Sequence, residues 1–193
     1  MFLLGQAVGK YQILSNLGSG GFGTVYLAKD AWIDKKVAIK VPHRQGGDFD
    51  DLLQEPRLLA ALDHTNIVGI VTAERVDGVF FIVMEYVKGE SMEAVLDREK
   101  SLDVPRAVNY AFQILKGVEH AHENQVLHRD LRPANVLVSE SGVVKVADFG
   151  TSRFLEKSHA TTVIGSPPST TPTSWASSPR RRWTASSSSS WST

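Results

Sequence analysis

One short stretch constrains the fold of this chain more than any other: residues 128–138, which read His-Arg-Asp-Leu-Arg-Pro-Ala-Asn-Val-Leu-Val. The apolar end of the stretch predicts a buried strand, so its polar residues must lie in the loop that leads into that strand. This loop combines a carboxylate, an amide, a histidine and two arginines within eight residues. Such a composition is typical of a catalytic loop, and a salt-bridged surface loop is the alternative.

A second constraint is the glycine-rich segment from Leu17 to Val25, which has four glycines in six residues. Because glycine has no Cβ, backbone N–H groups in such a segment can approach phosphate oxygens closely. Residues 24–27 read as a strand, whereas a dinucleotide-binding turn requires a helix directly after the glycines. The pattern therefore favours a hairpin that covers phosphates, and an ordinary flexible hairpin is the alternative.

Hydrophobic periodicity predicts strands and helices around these two segments. Lys40 lies in an apolar strand, and a lysine on a half-buried face needs a partner of opposite charge. Leucines at helical spacing predict a helix with acidic residues at its start. The predicted strands are 11–17, 24–29, 36–41, 79–87, 136–138 and 143–146, and the predicted helices are Asp48 to Leu62 and Val104 to His122.

In this order, the segments GSGGFGTV, VAIK, HRDLRPAN and DFG (Asp148 to Gly150) resemble those of the protein kinase family, most of all the eukaryotic-type Ser/Thr kinases. The resemblance covers about residues 10–168. It implies an α+β, bilobal protein-kinase-like fold with a complete small β-rich lobe and an incomplete helical large lobe. The implied domains are a lead-in at 1–9, the small lobe at 10–87, a partial large lobe at 88–168, and a Ser/Thr-rich tail at 169–193. We expect this tail to be disordered, and its composition suggests a change of reading frame.

The resemblance also implies an ATP site, in which Lys40 clamps phosphates and pairs with Glu55; Asp51 is a weaker alternative partner. Pro56 departs from the family pattern and predicts a helix that begins late, near Leu52, or kinks at Glu55. Backbone groups of Glu85 and Val87 would contact the adenine edge, and apolar side chains would contact its faces. The residues expected to bind ATP are Leu17, Gly18, Ser19, Gly20, Gly21, Phe22, Gly23, Val25, Ala38, Lys40, Met84, Glu85, Val87 and Leu137.

For catalysis, the resemblance implies that Asp130 orients the substrate hydroxyl and that Asn135 and Asp148 bind Mg²⁺. Arg132 stands where Ser/Thr kinases typically carry lysine, and it would contact the γ-phosphate. Oxygen ligands of this kind suit Mg²⁺. His128 and Phe149 are expected to pack with Leu59 and Ile70 rather than to take part in the chemistry.

The implied function is transfer of the ATP γ-phosphate to Ser/Thr hydroxyls of a protein by a truncated kinase. A non-catalytic ATP-binding fragment or decoy is the alternative, and a small-molecule kinase is disfavoured. Arg129 could pair with a phosphothreonine, so autophosphorylation is expected at Thr161 or Thr162.

Bulk properties limit the partners. The 21 basic and 21 acidic residues cancel, which disfavours nucleic acid or an anionic membrane as a partner. The sequence has no apolar run long enough for a membrane segment and no cysteine, so we expect a cytoplasmic protein.

Overall fold

The computed structural model describes residues 2–21, 23–45, 49–149 and 153–154. Predictions that concern Phe22, Gly150, Thr161, Thr162 and the tail at 169–193 lie outside the described residues. Within them, the predicted α+β fold is confirmed: a curled antiparallel sheet comes first, and a mainly helical part follows.

The first part is a six-stranded sheet with the order β1-β2-β3-β4-β6-β5. The strands predicted at 11–17, 24–29, 36–41 and 79–87 are confirmed, and the last of them ends at Glu85. The edge strand β5 was not predicted, because its sequence IVTAERV mixes apolar and charged residues without a clear alternation. The strands are β1 (Ala7–Val8), β2 (Tyr11–Gly20), β3 (Gly23–Asp30), β4 (Lys35–Pro42), β5 (Ile70–Val76) and β6 (Val79–Glu85).

Aromatic side chains fill the core beneath this sheet. The rings of Tyr11 and Phe81 meet edge to face with centroids 6.0 Å apart, and the ring of Phe2 lies 6.2 Å from that of Phe81. Such edge-to-face contacts add stability beyond the burial of apolar area. The hydroxyl of Tyr11 donates to Glu74 at 2.8 Å, and burial together with that carboxylate raises the pKa of Tyr11. The core therefore fixes β2 against β5 and β6.

The helix predicted from Asp48 to Leu62 is not continuous, and the irregularity expected from Pro56 between Leu52 and Glu55 is present. The structure has two short helices, α1 (Phe49–Leu52) and α2 (Gln54–Ala60), separated at Leu53. Pro56 explains the break, because proline has no N–H to bond back to the preceding turn. It occupies the third position of α2, where a backbone N–H has no acceptor within the helix.

The second part is built around the long helix α4 (Val104–Glu123), whose prediction is confirmed. The side chain of Asp103 caps its start by accepting a hydrogen bond from the N–H of Arg106. Gly117 lies where the helix meets the loop after α2; a Cβ on Gly117 would stand 2.6 Å from the Asn66 carbonyl oxygen. The remaining elements are β7 (Gly89–Ser91), α3 (Met92–Glu99), β8 (Val126–Leu127), a 3-10 turn (Pro133–Asn135), β9 (Val136–Ser139), β10 (Val144–Val146) and β11 (Arg153–Phe154).

Two small sheets complete this part. The strands β10, β9 and β7 pair in that order, so that β9 and β10 form a hairpin between the loop at 128–135 and Asp148. The strand β11 pairs with β8 next to the end of α4. The polar stretch identified first in the sequence therefore lies between β8 and β9, as its apolar end predicted.

Candidate active site

The centre of the site is an ion cluster around Lys40. Its Nζ lies 2.6 Å from Glu55 Oε1 and 2.7 Å from Asp148 Oδ1, and 5% of its side chain is exposed. Lys40 comes from β4, Glu55 from the first turn of α2, and Asp148 from the segment after β10. Three segments that are far apart in sequence thus meet at one ammonium group.

Charge explains why a lysine is tolerated in this buried position. Burial alone would lower the pKa of Lys40, but Glu55 and Asp148 outweigh burial and hold its pKa above the ordinary value. The ammonium group is therefore charged at neutral pH. Hydrogen bonds between charged groups at such distances are about twice as strong as those between neutral groups.

A hydrophobic cluster fixes α2 so that Glu55 faces Lys40. Leu58 and Leu59, one turn after Glu55, are buried in this cluster together with Phe149, which is 1% exposed. Ile70 packs against the same cluster. The expected packing of Leu59 and Ile70 with Phe149 is thus present, and it joins the helix with Glu55 to the segment with Asp148.

The loop before the 3-10 turn is held by its own polar groups. The N–H of Asp130 donates to His128 Nδ1 at 3.3 Å, and His128 Nε2 lies 2.9 Å from the Ala147 carbonyl. His128 therefore accepts a hydrogen bond through Nδ1 and donates one through Nε2. Its ring lies 4.6 Å from that of Phe149, so His128 has the predicted packing role.

Asp130 and Asn135 are in direct contact. The Asn135 amide nitrogen donates to the Asp130 carbonyl at 2.8 Å and to Asp130 Oδ2 at 3.0 Å. Asn135 is 8% exposed, and its backbone carbonyl accepts a hydrogen bond from the Ala147 N–H at 2.8 Å. Because the amide nitrogen faces Asp130, the amide oxygen is the atom that Asn135 can offer to a cation.

Two non-glycine residues of this region have left-handed backbone conformations. Arg129 has φ 64° and Asp148 has φ 60°. Such conformations are uncommon outside glycine and cluster at functional sites. They turn the chain sharply just before Asp130 and at Asp148 itself.

The donor set fits Mg²⁺ bound together with a polyphosphate. Asn135 offers one oxygen, and Asp148 offers the oxygen that does not face Lys40. Among the described residues, no group of three or more His, Cys, Asp or Glu side chains could hold a metal ion alone. A Mg²⁺ ion held by Asn135 and Asp148 would need phosphates and water to complete its coordination.

The glycine-rich hairpin is formed by the ends of β2 and β3, where Gly20 pairs with Gly23. A Cβ on Gly23 would overlap the Val41 carbonyl of β4, so this close approach requires glycine. Gly18, Gly20 and Gly21 face open space. The hydroxyls of Ser19 and Thr24 bond across the hairpin at 3.0 Å. The hairpin is thus held together next to its turn, while Gly18, Gly20 and Gly21 leave space where side chains would otherwise stand.

Sheet register places several predicted adenine contacts side by side. Val25 is paired with Lys40 across β3 and β4, and Ala38 is paired with Met84 across β4 and β6. Leu17 is 46% exposed at the edge of the glycine hairpin. Leu137 and Val87 are half-buried, on β9 and just after β6.

One of the two backbone hydrogen-bonding groups of Glu85, its N–H, is bonded within the protein. Its N–H donates to the Gly69 carbonyl at 2.9 Å, so its carbonyl is the group that can accept a hydrogen bond from a base.

Arg132 is not brought into this arrangement. It is exposed immediately before the 3-10 turn, and within the described part of the chain its side chain forms no hydrogen bond or ion pair. Its contact with a γ-phosphate stays a prediction.

The sequence analysis missed two polar contacts next to the site. The ring of His43, after β4, lies 2.8 Å from the Gly20 carbonyl. Lys145, between two buried valines of β10, lies 2.7 Å from Glu85. A lone lysine between valines signals a polar face on that strand, but it does not indicate the partner.

Comparison with known proteins bears on the identity of this site. A sequence model of the protein kinase domain matches residues 11–191. The chain belongs to the protein kinase family. Serine/threonine-protein kinase PrkC of Bacillus subtilis (strain 168) is 37% identical over 172 residues, which are 85% of this kinase chain and 26% of PrkC.

Other relatives show the same pattern. Serine/threonine-protein kinase pkn2 of Myxococcus xanthus is 36% identical over 162 residues, which are 80% of this chain and 19% of pkn2. A probable serine/threonine-protein kinase PknB of Lactococcus lactis subsp. lactis (strain IL1403) is 37% identical over 166 residues, 81% of this chain and 26% of that protein. The chain thus spans about a quarter of the length of the first curated relatives that it matches. None of the helices described here is both long and apolar enough to cross a membrane.

Proposed function

We propose that this chain carries the ATP site of a Ser/Thr protein kinase, which transfers the γ-phosphate of ATP to a Ser or Thr hydroxyl of a protein. The observation that carries the proposal is the meeting of Lys40, Glu55 and Asp148 within hydrogen-bond distance. Phosphoryl transfer needs little covalent help from the protein; it needs aligned reactants and neutralised charge.

Each charged group has a role in that chemistry. Lys40, oriented by Glu55, would bind phosphate oxygens of ATP, and the glycine hairpin would cover the phosphates with backbone N–H groups. Asn135 and Asp148 would hold Mg²⁺, which neutralises charge on the phosphates. The role of Arg132 would be an additional contact to the γ-phosphate.

Asp130 would orient the attacking hydroxyl and accept its proton. Its Oδ2 receives the Asn135 amide, which fixes the rotation of the carboxylate. The adenine would lie between Ala38 and Leu137, with its edge at the Glu85 carbonyl and at Val87. The names of the relatives support Ser and Thr as acceptors, because each names a serine/threonine-protein kinase.

A non-catalytic ATP-binding role is the second candidate, and one observation favours it. On α4, Val104, Val108, Phe112 and Leu115 are between 59% and 75% exposed, although they form one apolar stripe. A stripe of this kind normally packs against other elements. If it is uncovered, the loop with Asp130 and Asn135 loses support, and a shift of about 1 Å can cost 10²-fold in rate.

The two candidates differ in one measurement. ATP–Mg²⁺ binding by calorimetry and transfer of labelled phosphate to a Ser/Thr protein should be measured on the same preparation. For a kinase, Asp130→Asn should keep ATP affinity within about twofold and lower transfer by 10²-fold or more. ATP binding without transfer in the unsubstituted chain would support the non-catalytic role, and absence of ATP binding would refute both.

A further inference from the structure

The side chain of Glu85 has contacts that the nucleotide site does not require. Its Oε1 accepts hydrogen bonds from Lys145 Nζ at 2.7 Å and from the Gly69 N–H at 2.7 Å. Lys145 Nζ also lies 3.3 Å from the Ile67 carbonyl. The Lys145 and Glu85 side chains are 18% and 34% exposed, so the pair is largely shielded from water. We call these contacts the Lys145–Glu85 latch.

The loop between α2 and β5 is in turn bonded to β10. The N–H of Val68 donates to the Val146 carbonyl at 2.9 Å, and the N–H of Val146 donates to the Asn66 carbonyl at 2.8 Å. The Asn66 side chain donates to the Val144 carbonyl at 2.8 Å. Asp148 follows Val146 by two residues. The loop therefore lies between the strand that ends at Glu85 and the strand that leads to Asp148.

From this arrangement we propose that Lys145 is a positioning residue, which holds the adenine-binding end of the site in register with the phosphate-binding end. The inference rests on the proposed function. Glu85 begins the segment that would contact adenine, and Asp148 would act at the phosphates. Lys145 stands on the strand before Asp148 and bonds directly to Glu85, so the latch fixes the spacing between the two ends.

This role predicts a selective effect on ligands. ATP–Mg²⁺ must engage both ends of the site at once, so its affinity depends on their spacing. Adenosine engages the adenine-binding end alone and is insensitive to that spacing. A residue that merely stabilised the fold would affect both ligands alike.

The test compares three variants of the whole chain by calorimetry with ATP–Mg²⁺ and with adenosine. Lys145→Met should raise the Kd for ATP–Mg²⁺ by about tenfold, which corresponds to one hydrogen bond between charged groups, and change that for adenosine by less than about twofold. Lys145→Arg keeps the charge and should restore most of the ATP affinity. Lys88→Met is the matched control, because Lys88 forms a surface ion pair with Glu140 at 2.7 Å, with side chains 71% and 62% exposed.

Hydrogen exchange provides a readout that does not depend on nucleotide. In Lys145→Met, the amides of Gly69, Glu85 and Val146 should exchange faster than in the unsubstituted chain, whereas Lys88→Met should leave them unchanged. Unchanged exchange in Lys145→Met overturns the latch, whether or not ATP binds. Equal losses for ATP and adenosine overturn the positioning role. Absence of ATP binding in the unsubstituted chain refutes the proposed function and, with it, the role of the latch at that site.

Discussion

Replacing Lys40 by methionine tests the centre of the site. The substitution keeps the length of the side chain but removes two hydrogen bonds between charged groups, at 2.6 and 2.7 Å. It leaves the carboxylates of Glu55 and Asp148, which are 17% and 31% exposed, without their shared cation.

The magnitude follows from these contacts. Breaking a buried ion pair by removing one partner costs about 3–5 kcal/mol, and partial exposure of both carboxylates favours the lower end of that range. We therefore expect the free energy of unfolding of Lys40→Met to fall by about 3 kcal/mol. Loss of one phosphate clamp, worth about 1.5–3 kcal/mol, should raise the Kd for ATP–Mg²⁺ by about 10- to 100-fold.

Denaturant unfolding and calorimetry measure the two quantities on the same samples. Lys36→Met is the matched control, because Lys36 is exposed on the same strand, and it should change neither quantity. Adding Glu55→Gln to Lys40→Met should recover part of the stability, since it removes an unpaired carboxylate, but none of the ATP affinity. If Lys40→Met and Asp148→Ala both bind ATP–Mg²⁺ as tightly as the unsubstituted chain, the assignment of the phosphate site is wrong.

Three further outcomes are expected. In an active preparation, mass spectrometry after incubation with ATP should find phosphate on Thr161 or Thr162, and full activity of the variant with both replaced by alanine would contradict this. Burial, His120 and nearby lysines hold the pKa of His64 below its ordinary value of 6.5. Because the unfolded chain then binds the proton more tightly than the folded chain, the free energy of unfolding should fall as the pH drops below about 6.5. The fall should be smaller in His64→Gln. Replacing Phe112 by glutamine should reduce binding of an apolar dye to the exposed stripe of α4, and unchanged dye binding would show that the stripe is covered in solution.

The order of the motifs predicted which residues of the candidate site meet, whereas the local hydrophobic pattern predicted less well the helices and ion pairs that hold them in place. Lys40 and Asp148 are 108 residues apart in the sequence, and only the family resemblance indicated that they meet. The break between α1 and α2 followed from Pro56, although the pattern of leucines alone predicted one helix. The charges of Glu85 and Lys145 resemble ordinary surface charges in the sequence, since nothing local distinguishes a partner 60 residues away.

Gly117 has a consequence that reaches beyond its own helix. Glycine within a helix costs about 1 kcal/mol relative to alanine, so a helix optimised in isolation would not contain it. Here Gly117 lets the Asn66 carbonyl lie against α4. Asn66 in turn bonds to Val144 and Val146, on the strand that leads to Asp148. Replacing Gly117 by alanine would favour the helix, but the added Cβ would push the Asn66 carbonyl outward and shift the strand that leads to Asp148, so helix stability and the geometry of the candidate site trade against each other at this position.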